Sequence, residues 1–234
     1  MKCFYQLYNK DEYKAALAYS FGLHGYLDNL QSLAQRFGEN QINACKILQQ
    51  TKKNNNKSNN KKNNQKTSTK FTEAYFPTLL GTSGDSEPVK NTYTLDKHLL
   101  ITGPNAAGKT TLLKTTIFNI IFSQQTGFGF YKKAQLKLYD HIHCYINIPD
   151  TSGRDSLFQA EARRCKDILT TLSAVATNTD KDNKLENHLC VFDELYSGTN
   201  HYEAISSAYA FLSYLNKYSN VNFVLTTHYL DLCK

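Results

Sequence analysis

Gly103-Pro104-Asn105-Ala106-Ala107-Gly108-Lys109-Thr110-Thr111 follows the apolar run Leu99-Leu100-Ile101 and opens the stretch Leu112–Phe122. A buried strand, a glycine-bearing loop and a helix, in that order, are what a phosphate cradle requires. Glycines let backbone N–H groups converge on an anion, and the helix start adds the positive end of its dipole. The spacing Gly103-x4-Gly108-Lys109-Thr110 therefore predicts binding of ATP or a close relative. In that pattern Lys109 supplies a point charge for the β- and γ-phosphates, and the Thr110 hydroxyl is a ligand for Mg²⁺.

Two further apolar runs end in polar residues of the same chemistry. Leu189-Cys190-Val191-Phe192 leads into Asp193-Glu194, and Phe223-Val224-Leu225 leads into Thr226-Thr227-His228. Beyond a phosphate loop, the acidic pair predicts Asp193 in the magnesium shell and Glu194 orienting and deprotonating a water. Taken alone, the same pair would serve as an acidic helix N-cap. A neutral His228 imidazole, at the third such strand end, would reach the γ-phosphate. Short apolar runs alternating with the helical stretches Leu112–Phe122 and Ala204–Leu215 predict an α/β fold, a mostly parallel sheet flanked by helices. Ligands of such sheets sit beyond the carboxyl ends of the strands, where all three motifs fall. His141 and His143, in an alternating apolar stretch, read as sheet residues without a ligand spacing. The aromatic residues of Gly127-Phe128-Gly129-Phe130-Tyr131 read as packing residues before base-stacking ones.

Outside this core the chain predicts two other regions. Residues 1–50 read as a helical segment, with apolar residues at gaps of three and four between Tyr13 and Phe37 and candidate interruptions at Gly22 and Gly25. Residues 51–70 hold seven lysines, seven asparagines, no acidic residue and no aliphatic or aromatic one. Such a stretch cannot bury enough apolar area to offset its ordering entropy and reads as a disordered linker. Residues 71–234 form the nucleotide-binding domain. The net charge of +7 comes from the linker: without its seven lysines, 20 basic residues face 20 acidic ones. The charge therefore does not establish nucleic-acid binding. Six cysteines without C-x-x-C spacing suit a reducing, intracellular setting rather than a zinc site or disulfide framework. No apolar run approaches the ~20 residues of a membrane span, so no membrane partner is expected.

Read together, these motifs resemble the ATPase domain of the MutS family of DNA mismatch-repair proteins. The likeness runs through Thr102–Thr111, then Asp193-Glu194-Leu195-Tyr196-Ser197-Gly198-Thr199, then Thr227-His228-Tyr229. A fourth stretch, Asp150-Thr151-Ser152-Gly153-Arg154-Asp155-Ser156-Leu157-Phe158, is similar to the family's Ser-Gly-Arg-Ser-Thr-Phe-type segment. The segment Ala15–Ala34 also looks like the helices at the base of the family's lever arms. The wording of Ile148–Arg154 and the Asn/Lys insert is most similar to divergent MutS-like proteins of large DNA viruses.

The resemblance implies an ABC-type P-loop NTPase working as a homo- or heterodimer through the ATPase face, with ATP and Mg²⁺ as ligands. Each site would be completed in trans by a serine of the partner. That role falls to Ser156 by its place before Leu157-Phe158, with Ser152 as a competitor because the segment carries one extra residue. Gly198 and Thr199 would line the dimer seam, and Asn105 matches the family's phosphate-loop asparagine. Val89, in Pro88-Val89-Lys90-Asn91, aligns with the family's adenine contact in place of the usual aromatic. The family's mismatch-reading domain, levers and clamp do not occur in this sequence, so double-stranded DNA would be met by regions absent from it. The expected function is ATP hydrolysis coupled to DNA binding in mismatch repair. The alternatives are a nucleotide-gated dimerisation module with little turnover of its own, or another ABC-type DNA-repair ATPase.

Overall fold

The apolar runs become strands because both of their faces are covered. The computed structural model describes residue 8 and residues 10–48, 68–80, 87–146, 156–177 and 186–233. In chain order the elements are α1 (Asp11–Gly38), β1 (Asn43–Leu48), β2 (Thr69–Ala74), β3 (Asn91–Leu95), β4 (His98–Thr102), α2 (Lys109–Thr126), β5 (Phe128–Gly129) and β6 (Lys133–Lys137). They continue with β7 (His141–Tyr145), α3 (Leu157–Thr177), β8 (His188–Asp193), α4 (His201–Leu215) and β9 (Val221–Thr227). The chain divides into two units between Asn43 and Ala44.

In the first unit α1 runs unbroken through Gly22 and Gly25, contrary to the interruption expected there. A glycine inside a helix costs only about 1 kcal/mol relative to alanine. Asp11 and Glu12 in the first turn and Arg36 in the last complement the dipole of this 28-residue helix. The helical expectation for residues 1–50 stops short of β1. There Cys45, Lys46, Ile47 and Leu48 pair in parallel with Ala134, Gln135, Leu136 and Lys137 of β6, and the Cys45 N–H donates to the Gly127 carbonyl at 2.8 Å. Strand β2 likewise begins inside the stretch expected to be linker. Thr69 is fully buried, and its hydroxyl accepts the Lys137 N–H at 3.1 Å. Residues 51–67 of that stretch lie outside the described residues.

The second unit holds two sheets. Four strands in the order β4-β9-β8-β7 form a wholly parallel sheet. Leu189, Val191 and Val224 point to one face, where they meet Leu113 and Ile120 of α2. Cys190, Phe192, Phe223 and Leu225 point to the other, onto Ile168 and Leu172 of α3 and Ala208, Phe211 and Leu215 of α4. Because helices cover both faces, β8 and β9 are continuous apolar runs rather than alternating ones.

The second sheet, β3-β2-β6-β1-β5, is mixed. It packs Phe71, Leu95, Ala134 and Leu136 onto the far side of α2. Helix α2 is thus enclosed between two sheets, and its polar residues act as pins. Asn119 accepts the Phe130 N–H at 2.7 Å and donates to the Tyr75 carbonyl at 3.2 Å. Gly127 ends the helix at φ +79°, a left-handed turn that glycine adopts without strain. Phe130 and Tyr131 follow into the core, only 4 % and 1 % exposed, as the packing interpretation of the 127–131 aromatics expected.

Candidate functional site

Parallel register brings the three polar strand ends to one edge. Thr102 at the end of β4 stands beside Thr227 of β9, and Asp193 at the end of β8 stands beside Thr226. The Gly103–Gly108 loop leaves β4 and turns into α2 through Gly108, whose φ of +85° lies in the left-handed region. A side chain at Gly108 would find open space, so the backbone conformation itself is what calls for glycine. No acidic residue occupies the first turn of α2, so no side chain of the helix itself offsets its positive end. The Lys109 ammonium, on a side chain 7 % exposed, donates to the carbonyls of Gly103 at 2.9 Å and Pro104 at 3.1 Å. It is thereby held across the mouth of the loop.

The acidic pair divides into two positions. Asp193 Oδ1 accepts the hydroxyls of Thr110, at 3.1 Å, and Thr226. The two residues read as magnesium ligands from separate motifs, Thr110 and Asp193, are therefore neighbours. Glu194 adopts φ +52°, a left-handed conformation that costs a non-glycine residue roughly 1 kcal/mol. It is held there by its N–H, which donates to the Thr226 carbonyl at 3.1 Å and the Thr226 hydroxyl at 3.2 Å. The turn aims Glu194 Oε1 back to 3.8 Å from both Lys109 Nζ and His228 Nδ1. Strained residues persist only where their surroundings over-determine them, and they concentrate at functional sites.

Lys109, Thr110, Asp193 and Glu194 border one cavity of about 580 Å³, lined from the loop side by Asn105, Ala106, Gly108, Lys109, Thr110 and Thr111, whereas His228 stands behind Glu194 outside its lining. Asp193, Glu194, Tyr145, Leu157, Glu161 and Ser197 line it from the strand ends and α3. The size lies within the ~300–1,000 Å³ of small-molecule sites. The donor set fits the ligands expected of it: a helix start and an ammonium for phosphate, and two hard oxygens 3.1 Å apart for a cation such as Mg²⁺.

Residues 99–234 match the family model for MutS domain V. The chain belongs to the MutS domain V family. Similar sequences lie within the DNA mismatch repair protein MutS of Leuconostoc citreum, 31% identical over 148 residues, and of Bacteroides fragilis, 31% identical over 137 residues. These alignments take in 62% and 57% of this chain but only 16% and 14% of the relatives. The MutS protein of Staphylococcus haemolyticus is 31% identical over 149 residues, covering 62% of this chain and 15% of its own length. The chain therefore spans a small fraction of the curated relatives it matches.

Four expected site residues stand apart from the Gly103–Thr111 loop or are engaged elsewhere. Val89 is 77 % exposed in the segment before β3 and is not part of the cavity lining. Ser156 caps α3: its hydroxyl accepts the Gln159 N–H at 3.3 Å, and Gln159 Oε1 accepts the Ser156 N–H at 3.1 Å. This reciprocal pair is a capping box, legible in Ser156-Leu157-Phe158-Gln159. Gly198 packs so closely on Leu157 that an added Cβ would collide with it, and the Thr199 hydroxyl donates to Glu203. Ser152 lies outside the described residues.

Two contributors escaped the sequence. Glu161, 2 % exposed, accepts the N–H and hydroxyl of Ser197 at 3.1 and 3.3 Å and the N–H of Gly198 at 3.4 Å. It ties α3 to the loop after Glu194. Its signal was a carboxylate on the apolar stripe Phe158, Glu161, Cys165, Ile168 and Leu172. Thr226 joins Asp193 to Glu194 through one hydroxyl, and nothing in an isolated Thr-Thr-His foretells which threonine does so.

Proposed function

We propose that this chain is a P-loop NTPase of the ABC type that binds and hydrolyses Mg²⁺-ATP, the motor of a MutS-like mismatch-repair protein. The observation that carries the proposal is the convergence of Thr110 and Asp193, with Lys109 and Glu194 beside them, on one cavity at the carboxyl edge, with His228 behind Glu194. Lys109 and the α2 start would hold the phosphates, with Asn105, Ala106, Ala107 and Thr111 completing the loop around them. Mg²⁺, held by Thr110 and Asp193, would offset phosphate charge as it develops. Glu194, fixed in direction by the Thr226 bonds, would orient the attacking water and accept its proton, and His228 would face the γ-phosphate. The test is steady-state ATP turnover: Lys109→Ala and Glu194→Ala must each fall far below the parent. If both hydrolyse like the parent, the assignment fails.

A composite dimer site, with Ser156 of a second chain reaching the phosphates, follows from the family resemblance and from the exposed position of Ser156 at the start of α3. Specific activity that rises with protein concentration would support it, and concentration-independent turnover would refute it. A nucleotide-gated dimerisation module is the second reading, supported by the same exposed serine. Binding of double-stranded DNA belongs, in this proposal, to regions beyond this chain. No helix among the described residues is long and apolar enough to cross a membrane.

A further inference from the structure

At the opposite, amino edge of the parallel sheet the strands carry a second cluster of polar side chains, which the phosphate site does not use. His141 of β7 pairs in register with His188 of β8. The rings of His141 and His188 stack at 4.5 Å and 10°, and His143, two residues on, lies 5.4 Å from His188 at 11°. Glu186, just before β8, places Oε2 2.7 Å from His141 Nε2. One ligand atom from each of His141, Glu186 and His188 lies within 4.8 Å of the other two.

His188 is the decisive member. It is fully buried, yet its Nε2 has no hydrogen-bond partner among the described residues. An orphaned buried ring nitrogen costs about 1–3 kcal/mol unless something engages it. Its other nitrogen, Nδ1, lies 3.1 Å from His143 Nε2. With Nδ1–H donating to His143, Nε2 carries a free lone pair, the tautomer in which a histidine ligates metal while a neighbour holds its far side. Burial, then the charges of His141 and His143, push the His188 pKa down to about 4, so the ring stays neutral at neutral pH. The side chains of His141 and Glu186 are 36% and 42% exposed, which leaves a path from solvent.

We infer that His141, Glu186 and His188 form a binding site for a divalent transition-metal cation of the zinc class, oriented by His143. Two imidazoles and one carboxylate are a recurrent zinc set, with a fourth position for water, and they do not suit Mg²⁺. Bond lengths of about 2.0–2.2 Å at the tetrahedral angle put ligand atoms roughly 3.3 Å apart. His141 and Glu186 would therefore separate slightly as the cation enters between them, and the stacked His141 and His188 rings would turn about their side-chain bonds so that their in-plane lone pairs converge.

The experiment uses the full chain without a histidine tag, stripped with chelator and held in excess Mg²⁺ to saturate hard-oxygen sites. Titration with Zn²⁺, followed by calorimetry, and with Co²⁺, followed by visible absorption, should give one equivalent per chain with nitrogen and oxygen ligation. Glu186→Gln and His141→Gln, both on half-exposed side chains, should each weaken that equivalent at least tenfold, and His188→Ala should abolish it. His143→Ala should weaken it about 10- to 100-fold, as loss of an orienting partner does. Lys109→Ala and Asp193→Asn should leave it intact. The inference is overturned if no equivalent binds, if Co²⁺ shows a thiolate charge-transfer band, or if the equivalent survives Glu186→Gln and His141→Gln. Those two variants decide the matter even where His188→Ala does not fold.

Discussion

The two edges of the parallel sheet are built from the same strands yet carry opposite chemistry. At the carboxyl edge, Thr110, Asp193, Glu194 and Thr226 surround Lys109 with hydroxyls and carboxylates, joined to one another by hydrogen bonds and to Lys109 by an ion pair at 3.8 Å. At the amino edge, His98, His141 and His188 stand on strand starts with His143 two residues further in, and imidazoles stack on one another or on Phe223. The carboxyl edge owes its character to loops that leave the sheet and return a helix start to it. Among the described residues the amino edge has no such loop, and its side-chain cluster depends on cross-strand register. Chemistry that needs converging backbone N–H groups is therefore confined to one side, whereas side-chain clusters can form on either.

The contrast can be broken first at Glu194. Removing a positioned general base typically lowers turnover about 10²- to 10⁴-fold. Glu194→Ala should fall in that range in steady-state ATPase assays, while circular dichroism and melting stay close to the parent because the side chain is partly exposed. A drop below tenfold would remove the chemical distinction between the edges. The next largest effect is expected at Glu161. Alanine there leaves the Ser197 and Gly198 amides without their buried acceptor, at about 1–3 kcal/mol measured by urea unfolding. Glu161→Gln, which keeps an acceptor, should lose less than half as much.

Gly108→Ala tests whether the loop needs a left-handed residue or simply a small one. With open space around the added Cβ, only the backbone conformation opposes it, at roughly 1–2 kcal/mol. Nucleotide affinity should fall with stability if the same φ aims the loop at phosphate.

The smallest expected effect lies at the amino edge. His98 stacks on Phe223 at 3.8 Å, accepts the Phe223 N–H through Nδ1 at 3.3 Å and meets Asn216 Oδ1 at 3.1 Å through Nε2. Burial foremost, with the Lys97 charge adding to it and the Asn216 bond opposing it, holds its pKa below the usual histidine value. The unfolded chain thus takes up the proton first, and stability contributed by neutral His98 is lost as pH falls below about 6.5. His98→Gln should flatten the decline in melting temperature between neutral and mildly acidic pH. A decline unchanged in the variant would assign that slope to other groups.

Much of the carboxyl edge was legible in the sequence because each motif is local. Gly103–Thr111 states its strand, loop and helix in one run, and Asp193-Glu194 and Thr226-Thr227-His228 each follow an apolar run covered on both faces. The mixed sheet was not legible. Its strands β1, β2, β3 and β6 are five or six residues long, β1 buries no residue fully, and their partners lie far away in sequence, so neither length nor alternation marks them strongly. Glu161 was hidden for a related reason: a carboxylate on an apolar stripe declares that it is buried, but not which amides receive it.

The sequence by itself determined that the Gly103–Thr111 loop, Asp193-Glu194 and Thr226-Thr227-His228 would sit at strand ends, since each follows its own apolar run. Only the tertiary structure decided that Thr226 joins Asp193 to Glu194 and that Val89 lies off the cavity. It alone set His188 beside His141. Parallel register pairs residues 47 positions apart in the chain, and no spacing rule along one strand can see its neighbour.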